Sequence, residues 1–411
     1  ISIIAPAFNE QATICDSVRS LLQLHYPEFE IIVVNDGSTD KTLEVVMNEY
    51  RLKPSPRPYP TTLPCKEIRG VYVSKDYPQL VVVDKVNGGK ADALNAGINV
   101  SRYPVFGAID SDSLLEHDVM LKLVRPFLSD PDTIAAGGIV RVANGCHVES
   151  GEVVEIGLSK KWLPNFQIVE YLRSFLFGRV GWDAMNGLVI ISGAFGLFRK
   201  DAVVACGGYA SDTVGEDMEL VVRLHRHFRE KKAPYRITFV PEPVCWTEVP
   251  ENTRTLGRQR NRWQRGLADT IMRHRKMLFN KRYGVVGLLV LPFFLFFELL
   301  GPIIEFFGYI VFAIALATGA VNEIFAVLFF IVAFLLGSFL SLASLTLEEL
   351  SFRKYPRFKH VITLFVFGLL ENFGYRQIHA WWRLKGLWSY LRREKSWGAM
   401  ERKGHLKKPS T

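Results

Sequence analysis

The chain has 411 residues, of which 49% are hydrophobic and 22% charged, and its formal net charge is +9. This composition excludes a disordered or low-complexity protein, and the positive mean hydropathy indicates that part of the apolar surface faces lipid. The five cysteines are scattered without a C-x-x-C pair, which argues against a disulfide scaffold and against a structural zinc module. Because the sequence begins inside an apolar strand pattern, without a methionine or signal peptide, we expect an excised fragment.

Short β-branched runs alternate with amphipathic helical stretches from the start of the chain to about Val249. We predict a strand at 1–5 that turns at Pro6, a helix over 14–24, a strand at 30–34, a helix over 39–50, a hairpin around 71–73, a strand at 81–84, a helix over 88–100 and a strand at 105–109. This repetition predicts an α/β fold whose open sheet is mainly parallel, with helices on both faces. The Pro-rich segment 53–63 interrupts the pattern and is predicted to be a surface insertion.

The sequence becomes typical of a membrane protein after residue 282. The run 283–321 is apolar except for Glu298 and Glu305, and it is too long for one span of about 20 residues. We therefore predict an interfacial or re-entrant segment over about 284–299 and a span over about 301–321. The run 324–347 has no charged residue and predicts a second span, although a buried helix of a soluble protein would be equally apolar.

Basic residues precede the first apolar run and follow the second, whereas the loop 318–323 between them has neither Lys nor Arg. The positive-inside rule then predicts a multi-pass protein of the cell (inner) membrane, with its N-terminal half and the later basic loop in the cytoplasm. Residues 361–370 are too few to span, and the tail rich in Arg, Lys and Trp predicts an interfacial amphipathic helix. Because the excess positive charge lies beside the membrane, no nucleic-acid partner is expected.

These patterns predict three regions. Residues 1–280 would form a cytoplasmic α/β domain, and residues 281–350 would form the membrane region with its re-entrant segment and two spans. Residues 351–411 would provide a basic loop, an interfacial helix and a tail.

An acidic D-x-D motif, Asp110-Ser111-Asp112, follows the predicted strand at 105–109. Residues i and i+2 at a strand end point to the same side, so the two carboxylates can address one ligand. Hard cations such as Mg²⁺ or Mn²⁺ prefer one or two carboxylates together with phosphate oxygens. Acids also occur in solvated turns, but the carboxyl end of a strand is where α/β sheets bind ligands. We therefore predict a metal site at Asp110 and Asp112.

Two other strand-to-helix junctions carry candidate ligand residues, at 35–40 and at 87–90. In the first, Asp36 could accept hydrogen bonds from a nucleoside, or the run could be a plain turn in which Ser38 or Thr39 caps the next helix. In the second, two glycines would let backbone N–H groups approach a phosphate, and Lys90 would add a positive charge. The spacing is neither that of a P-loop nor that of G-x-G-x-x-G.

Two further motifs precede the membrane half. Asp217, in Gly215-Glu216-Asp217, could remove a proton from a hydroxyl, or it could simply stabilise the first turn of a helix. Gln259, Arg262 and Trp263 share one helix face by their spacing. They would present an amide, a guanidinium suited to phosphate and an aromatic plate suited to the C–H face of a sugar, unless the helix only rests at the lipid interface.

Taken together and in this order, the motifs resemble those of membrane-integrated, inverting family 2 glycosyltransferases with a GT-A catalytic domain. The resemblance covers nearly the whole chain, from the opening run 6–10 to the helices that follow the Q-x-x-R-W motif. Within this resemblance, the chain is similar to bacterial poly-β-1,6-N-acetylglucosamine synthases and, more distantly, to hyaluronan, chitin and cellulose synthases. It departs from that pattern at Gly215, where many synthases have Thr, and at the Pro-rich insertion 53–63.

The resemblance implies a role for each candidate residue. The nucleotide-sugar would be bound by Pro6, Glu10, Asp36, Lys90, Asp110 and Arg262. The acceptor would be bound by Ser192, Gly193, Gln259 and Trp263, in part through the segment 192–196. Asp110 and Asp112 would hold Mg²⁺ or Mn²⁺, and Asp217 would be the catalytic base.

By the same resemblance, the reaction is transfer from a UDP-sugar, with UDP-N-acetylglucosamine as the best candidate, onto a growing β-linked polysaccharide. Membrane lipid and a small accessory membrane subunit are further expected partners. We expect a processive synthase, because the Gln259–Trp263 surface lies shortly before the first apolar run and Glu298 and Glu305 could contact sugar hydroxyls at a channel entrance. Both glutamates could instead face water at the headgroup level.

Other interpretations stay open. The protein could add a single sugar to a lipid or glycan acceptor, or it could be a catalytically silent glycan receptor or scaffold with the same fold. A Rossmann dinucleotide enzyme is disfavoured because the glycine fingerprint is missing.

Overall fold

The structure is a computed structural model that describes residues 1–55, 58–110, 113–149, 151–355 and 357–394. Within these residues the strands are β1 (Ser2–Ala7), β2 (Glu30–Asp36), β3 (Lys53–Pro54), β4 (Ile68–Val73), β5 (Leu80–Lys85), β6 (Val105–Ile109), β7 (Ser113–Leu115), β8 (Thr133–Val142), β9 (His147–Glu149), β10 (Glu152–Glu155), β11 (Phe195–Arg199) and β12 (Arg236–Thr247). The α-helices are α1 (Ile14–Leu22), α2 (Thr42–Glu49), α3 (Lys90–Val100), α4 (Val119–Ser129), α5 (Trp162–Leu172), α6 (Val180–Ala184), α7 (Lys200–Ala205), α8 (Glu216–Lys231), α9 (Thr253–Arg273), α10 (Leu291–Phe293), α11 (Gly301–Ala317), α12 (Glu323–Ser351), α13 (Phe358–Leu370) and α14 (Tyr375–Leu391). π-Helical turns lie at Arg173–Arg179, Val286–Val290 and Phe294–Leu299, and 3₁₀ turns lie at Arg275–Met277 and Lys281–Tyr283.

As far as the described residues go, ten strands form one sheet in the order β3-β4-β5-β2-β1-β6-β11-β8-β12-β7. Strands β5, β2, β1 and β6 form a group of parallel pairs, and β12 is parallel to β8. Strand β11 joins these two parallel groups by antiparallel pairing with β6 and β8, while β3, β4 and β7 are antiparallel additions. The predicted α/β fold with a mainly parallel sheet is confirmed.

The central strands are buried, as expected of a sheet whose faces are covered by helices. Strands β2 and β5 consist largely of β-branched residues with almost no exposure. Helix α3 packs closely on β1, because Gly97 has no side chain and an added Cβ would lie 2.4 Å from Ile4 Cγ2. This packing holds the carboxyl ends of β1, β2, β5 and β6 at one edge, which is where such sheets bind ligands.

The predicted turn at Pro6 is wrong. Pro6 lies inside β1, in register with Val34 of β2. The ladder between β1 and β6 ends at the pair Ile4 and Ala108, so β1 is paired on one side only at Pro6. A proline, which has no N–H to donate, is tolerated at such a position.

Helix α2 begins at Thr42, later than predicted, and neither expected residue caps it. Asp40 Oδ1 accepts from the Thr42 N–H at 2.9 Å instead. The Ser38 hydroxyl accepts from the Asn9 N–H at 3.0 Å, and Asn9 Oδ1 accepts from the Thr39 N–H at 2.8 Å. The loops after β1 and β2 are therefore joined by hydrogen bonds, which sequence pattern did not indicate.

The C-terminal helices contain the apolar segments expected from the sequence. Helix α12 has 29 residues, is apolar enough to cross a membrane, and is only 22% buried over its most apolar stretch, unlike the core helix of a soluble protein. The segments Val286–Leu299 and Gly301–Ala317 meet at a bend of 42°, where a break was predicted, and would count as a second span if they act together. Helix α13 is too short to span. The tail beyond residue 394 lies outside the described residues.

Buried ion pairs join these helices to the α/β domain. Arg141 of β8 pairs with Glu348 of α12 at 2.7 Å, and the two side chains are 1% and 3% exposed. Arg173 pairs with Glu371, whose carboxylate also accepts from Ser341 Oγ of α12 at 2.5 Å. Since a buried charge without its partner is strongly unfavourable, these contacts fix the helices against the domain.

Candidate functional site

A cavity of about 1540 Å³ lies at the carboxyl edge of the sheet and continues between the C-terminal helices. It brings together many of the predicted site residues, although they come from distant parts of the chain. Those that line it are Lys90, Asp110, Ser192, Gly193, Asp217, Gln259, Arg262 and Trp263.

One side of this cavity, which we name the sheet wall, is formed by Lys90, Asp110, Gly193 and Asp217. Lys90 begins α3, and its Nζ lies 2.5 Å from Asp110 Oδ1 at the end of β6. The Gly193 N–H donates to Asp217 Oδ2 at 3.3 Å. A Cβ added at Gly193 would lie 3.0 Å from Lys90 Nζ, 3.5 Å from Asp217 Oδ2 and 3.8 Å from Asp110 Oδ2. Gly193 therefore marks the point where the three charged groups converge.

The charge of the sheet wall depends on burial as well as on residue type. Glu216 is buried beside Asp217 and lies 3.6 Å from Lys90 Nζ. Burial raises the pKa of the Glu216 carboxyl, although the Lys90 cation opposes this shift. Burial alone would lower the pKa of Lys90, but the carboxylates of Asp110 and Glu216 raise it above its ordinary value. Lys90 is thus a permanent cation among acidic groups.

Asp217 lies in the first turn of α8, where an acid is stabilised by the helix. Its Oδ1 accepts from the Met218 N–H at 2.8 Å, while its Oδ2 accepts from the Gly193 N–H. Because the side chain also lines the cavity, these backbone contacts hold the carboxylate at the cavity surface. The geometry is therefore compatible with both interpretations of Asp217, as an acid that stabilises the first turn of α8 and as a catalytic base.

Asp36 is 3% exposed and is surrounded by protein donors. Its Oδ1 accepts from Lys85 Nζ at 2.6 Å and from the Gly88 N–H at 2.9 Å, and its Oδ2 accepts from the Gly89 N–H at 2.7 Å. The two glycine N–H groups, which we expected to approach a phosphate, are therefore directed at this carboxylate. Asp36 shapes the loop that leads to Lys90, and its contact with a nucleotide stays a prediction.

Pro6, Glu10 and Asp36 are not among the described residues that line the cavity. They lie beside it, at the carboxyl ends of β1 and β2. The Glu10 N–H donates to Thr42 Oγ1 at 2.8 Å, and Glu10 Oε2 accepts from Thr13 Oγ1 at 2.9 Å. These contacts place Glu10 in the hydrogen-bonded loop pair described above.

A second part of the cavity lining, which we name the helix wall, is formed by Glu170 of α5 and by Gln259, Arg260, Arg262 and Trp263 of α9. The expected common face of Gln259, Arg262 and Trp263 is present, since all three side chains line the cavity. Within the described residues, Gln259 Oε1 is buried without a hydrogen-bond partner. Because buried polar atoms are normally hydrogen-bonded, this unpaired acceptor makes Gln259 a candidate contact for a ligand hydroxyl.

Several cavity residues were not identified from the sequence. Arg179, at the end of the π-helical turn Arg173–Arg179, is buried and stacks on Phe175 with its guanidinium carbon 3.8 Å from the ring centroid. Burial lowers its pKa to about 10, although the charge of Asp217 acts in the opposite direction. No local pattern marks this arginine. Arg260, by contrast, is three residues before Trp263, so its contact with that ring could have been found from helix spacing.

The metal prediction can be examined only in part, because Asp112 lies outside the described residues. Asp110 lines the cavity and its side chain is 33% exposed, so it is open to a ligand. In the part of the chain that the structure describes, no cluster of three or more His, Cys, Asp or Glu side chains could hold a metal alone. One or two carboxylates combined with ligand phosphates are nevertheless a usual arrangement for Mg²⁺, and Asp110 fits it.

Comparison with protein families gives two matches. The model of glycosyl transferase family group 2 matches residues 106–343, which is more than half of the chain. The model of glycosyl transferase family 2 matches residues 2–58.

Individual proteins of similar sequence are also glycan synthases by name. A region of 273 residues, 66% of the chain, is 29% identical to the poly-β-1,6-N-acetyl-D-glucosamine synthase of Staphylococcus epidermidis and covers 56% of that protein. The protein of the same name from Staphylococcus aureus strain COL is 29% identical over 274 residues, with the same coverage of 66% and 56%. The chain therefore spans little more than half the length of these relatives.

Among solved structures, the fold is similar to that of a mannosyltransferase from Pyrobaculum calidifontis in complex with GDP-Man and Mn²⁺. The TM-score is 0.56, and the alignment covers 96% of this chain and 87% of that one. The sequence identity is 16%, so the likeness concerns the fold alone.

Proposed function

The chain belongs to the family 2 glycosyltransferases, and from that premise we propose an inverting hexosyl- or N-acetylhexosaminyltransferase at the cytoplasmic membrane face. The donor is a UDP-sugar, with UDP-N-acetylglucosamine as the best candidate, and the acceptor is a growing β-linked polysaccharide. The two staphylococcal relatives support this sugar, and the GT-A architecture agrees with the reaction class. The observation that carries the proposal is the convergence of Lys90, Asp110 and Asp217 around Gly193.

The proposed reaction is a single displacement. An acceptor hydroxyl attacks the anomeric carbon, the bond from that carbon to the diphosphate oxygen breaks, and UDP leaves with the electron pair. Asp217 takes the hydroxyl proton, for which its position in the cavity and its orientation by Gly193 are suited. Because attack and departure occur on opposite faces of the sugar, an α-linked donor gives a β-linked product.

The diphosphate is assigned to the cationic side chains that line the cavity. Lys90 lies on the sheet wall and Arg262 on the helix wall, so both cations are available to a diphosphate bound in the cavity. Asp110 and Asp112 would hold Mg²⁺ or Mn²⁺, and a divalent cation there would neutralise charge on the diphosphate. The uridine is assigned to the neighbouring carboxyl ends of β1 and β2, near which Pro6, Glu10 and Asp36 lie.

The acceptor is assigned to Ser192, Gly193, Gln259 and Trp263, since all line the cavity near Asp217. The same cavity reaches Glu298 and Glu305 in the C-terminal helices. Glu298 Oε2 accepts from Arg383 Nη2 at 2.9 Å, and Glu305 Oε1 accepts from the Tyr309 hydroxyl at 2.5 Å. Continuity from Asp217 to these glutamates supports processive extension of a bound chain.

We also propose that the protein crosses the membrane more than once. Its regions would be the α/β domain at 1–280, the membrane region at 281–350 and the basic loop, interfacial helix and tail at 351–411. Helix α12 and the bent pair before it support a membrane location by their length and composition. Membrane lipid and a small accessory subunit stay predictions from the resemblance.

The test uses the full-length protein in lipid nanodiscs, a panel of UDP-sugars and either Mg²⁺ or Mn²⁺. We expect UDP release with UDP-N-acetylglucosamine and a product ladder of many added residues by mass analysis. Products with a single added sugar would contradict processivity and favour the single-addition transferase. Absence of UDP release with every donor would contradict the transferase proposal and favour a silent receptor.

A further inference from the structure

Trp263, the aromatic residue of the helix wall, is in contact with a buried cation. The guanidinium carbon of Arg260 lies 4.2 Å from the centroid of the Trp263 ring. Arg260 is only 2% exposed, whereas Trp263 is 43% exposed and lines the cavity. The indole is therefore covered by the guanidinium on one face and accessible to a ligand elsewhere.

Arg260 is in turn held by two other helices. Its Nη2 donates to Glu170 Oε2 of α5 at 2.9 Å, and the Tyr375 hydroxyl of α14 donates to the same oxygen at 2.9 Å. Burial alone would raise the pKa of Glu170, but the positive charges around it, Arg260 foremost, lower it below its ordinary value. Arg260 Nε has no hydrogen-bond partner within the described residues, so Glu170 is its principal anchor.

This arrangement makes the orientation of the ring depend on residues that are far from it in sequence. If Glu170 lost its charge, the buried guanidinium would have no ion-pair partner and would be driven toward solvent, away from the indole. The ring would then lose the contact that restricts its rotation. An aromatic plate binds a pyranose through the apolar C–H face of the sugar, and that contact requires a fixed ring plane.

We propose that Glu170, Arg260 and Tyr375 are positioning residues that fix Trp263 as the surface on which the ring of the acceptor sugar packs. This inference rests on the proposed function, because the three residues would hold in place a side chain of the acceptor site of that reaction. The ligand class is an uncharged pyranose with an apolar face. Loss of the support should weaken acceptor binding and leave donor binding unchanged.

The experiment compares Arg260→Met, Glu170→Gln and the double variant with the full-length wild type in nanodiscs. The donor is UDP-N-acetylglucosamine and the acceptor is a short β-1,6-linked N-acetylglucosamine oligosaccharide. Arg254→Met is the matched control, because Arg254 is exposed on the same helix and does not line the described cavity. We expect Arg260→Met to raise the acceptor KM about 5- to 30-fold, as loss of a desolvated cation–π contact predicts, with UDP affinity within about twofold.

The double variant, Arg260→Met with Glu170→Gln, tests whether this ion pair positions Trp263 or only stabilises the fold. Replacing both partners removes the uncompensated charge, so thermal stability should return toward that of the wild type. The acceptor KM should nevertheless stay high, because the cation over the ring is still missing. A double variant with wild-type acceptor KM would overturn the inference, and so would a variant that loses UDP affinity while its acceptor KM is unchanged.

Failure of the proposed function would be recognised separately. If the wild type transfers no sugar from any UDP-sugar, the transferase proposal and the acceptor role of Trp263 fail together, before any variant is measured. If the wild type is active and Arg260→Met behaves like Arg254→Met, the transferase proposal stands and the positioning role is wrong.

Discussion

The two walls of the cavity are held in place by different kinds of contact. On the sheet wall, Asp110 and Lys90 sit at a strand end and a helix start, and Asp217 is oriented by backbone N–H groups. On the helix wall, Trp263 contacts the side chain of Arg260, which is held in turn by the side chain of Glu170. Backbone contacts persist whatever side chains surround them, whereas a side-chain support is lost with one substitution. Under the proposed function, the catalytic groups lie on the wall whose backbone contacts survive substitution of neighbouring residues, and acceptor recognition lies on the wall whose support one substitution removes.

The largest expected effect tests the sheet wall at Asp217. We expect Asp217→Asn to retain UDP binding and to lose about 10²- to 10⁴-fold in sugar transfer, because the near-isosteric amide cannot take a proton. Transfer is measured by UDP release at saturating donor and acceptor, and binding by calorimetry with UDP. A variant that keeps more than about a tenth of wild-type transfer would reduce Asp217 to a helix-stabilising acid.

The next effect tests how the helices are attached to the sheet. Glu348→Ala leaves the buried Arg141 without its partner and should lower the free energy of unfolding by about 3–5 kcal/mol. The double variant Arg141→Met with Glu348→Leu should lose much less, because no buried charge is left uncompensated. Unfolding of the three proteins in one detergent is the measurement. Equal losses in the single and double variants would show that packing, not the ion pair, attaches α12.

A smaller effect on stability and on UDP binding is expected at Asp36, which accepts hydrogen bonds from the loop that precedes Lys90 of the sheet wall. Asp36→Ala removes three hydrogen-bond acceptor contacts, but Lys85 keeps its pairing with Asp92 at 2.6 Å. We expect a loss of about 2–3 kcal/mol in the free energy of unfolding, together with weaker UDP binding. Asp16→Ala, at a partly exposed acid of α1 that pairs with Arg19, is the control. Unchanged UDP affinity in a folded Asp36→Ala protein would separate this carboxylate from the donor site.

The smallest effect concerns the space at Gly193. Gly193→Ala would bring a Cβ to 3.0 Å from Lys90 Nζ, so the flexible lysine should move away from Asp110. We expect transfer to fall about 10-fold with little change in stability, since small displacements of reacting groups are costly to catalysis. Steady-state kinetics and thermal unfolding of the variant provide the measurement. Wild-type kinetics would mean that the three charged groups need not converge here.

The sheet wall could be predicted from sequence to a large extent, because local patterns mark its residues. Asp110 and Lys90 were identified from the strands that they follow and Asp217 from the helical run that follows it, and all three line one cavity. The partner of the Gly88 and Gly89 N–H groups could not be found, because Asp36 reaches them only through the pairing of its strand with that of Lys85. Gly88 and Gly89 indicated an open site for a phosphate, but their N–H groups donate to the Asp36 carboxylate of the same chain.

The helix wall was predictable only within α9, where helix spacing relates Gln259, Arg262 and Trp263. Glu170 and Tyr375 reach Arg260 from α5 and α14, and no periodicity in the sequence relates helices so far apart. Arg179 was missed for a similar reason, since a π-helical turn has no residue signature in this sequence. Side-chain networks between distant helices depend on tertiary packing, which local patterns do not contain.

The most direct test of the central claim is the anomeric configuration of the first product formed from an α-linked UDP-sugar. The measurement is proton NMR of the newly formed glycosidic bond, followed during turnover by the full-length protein with its acceptor oligosaccharide. A single displacement assisted by Asp217 predicts a β-linked product, recognised by the large coupling of its anomeric proton. An α-linked product would require retention of configuration, and it would contradict the assignment of Asp217 as the base of an inverting transferase.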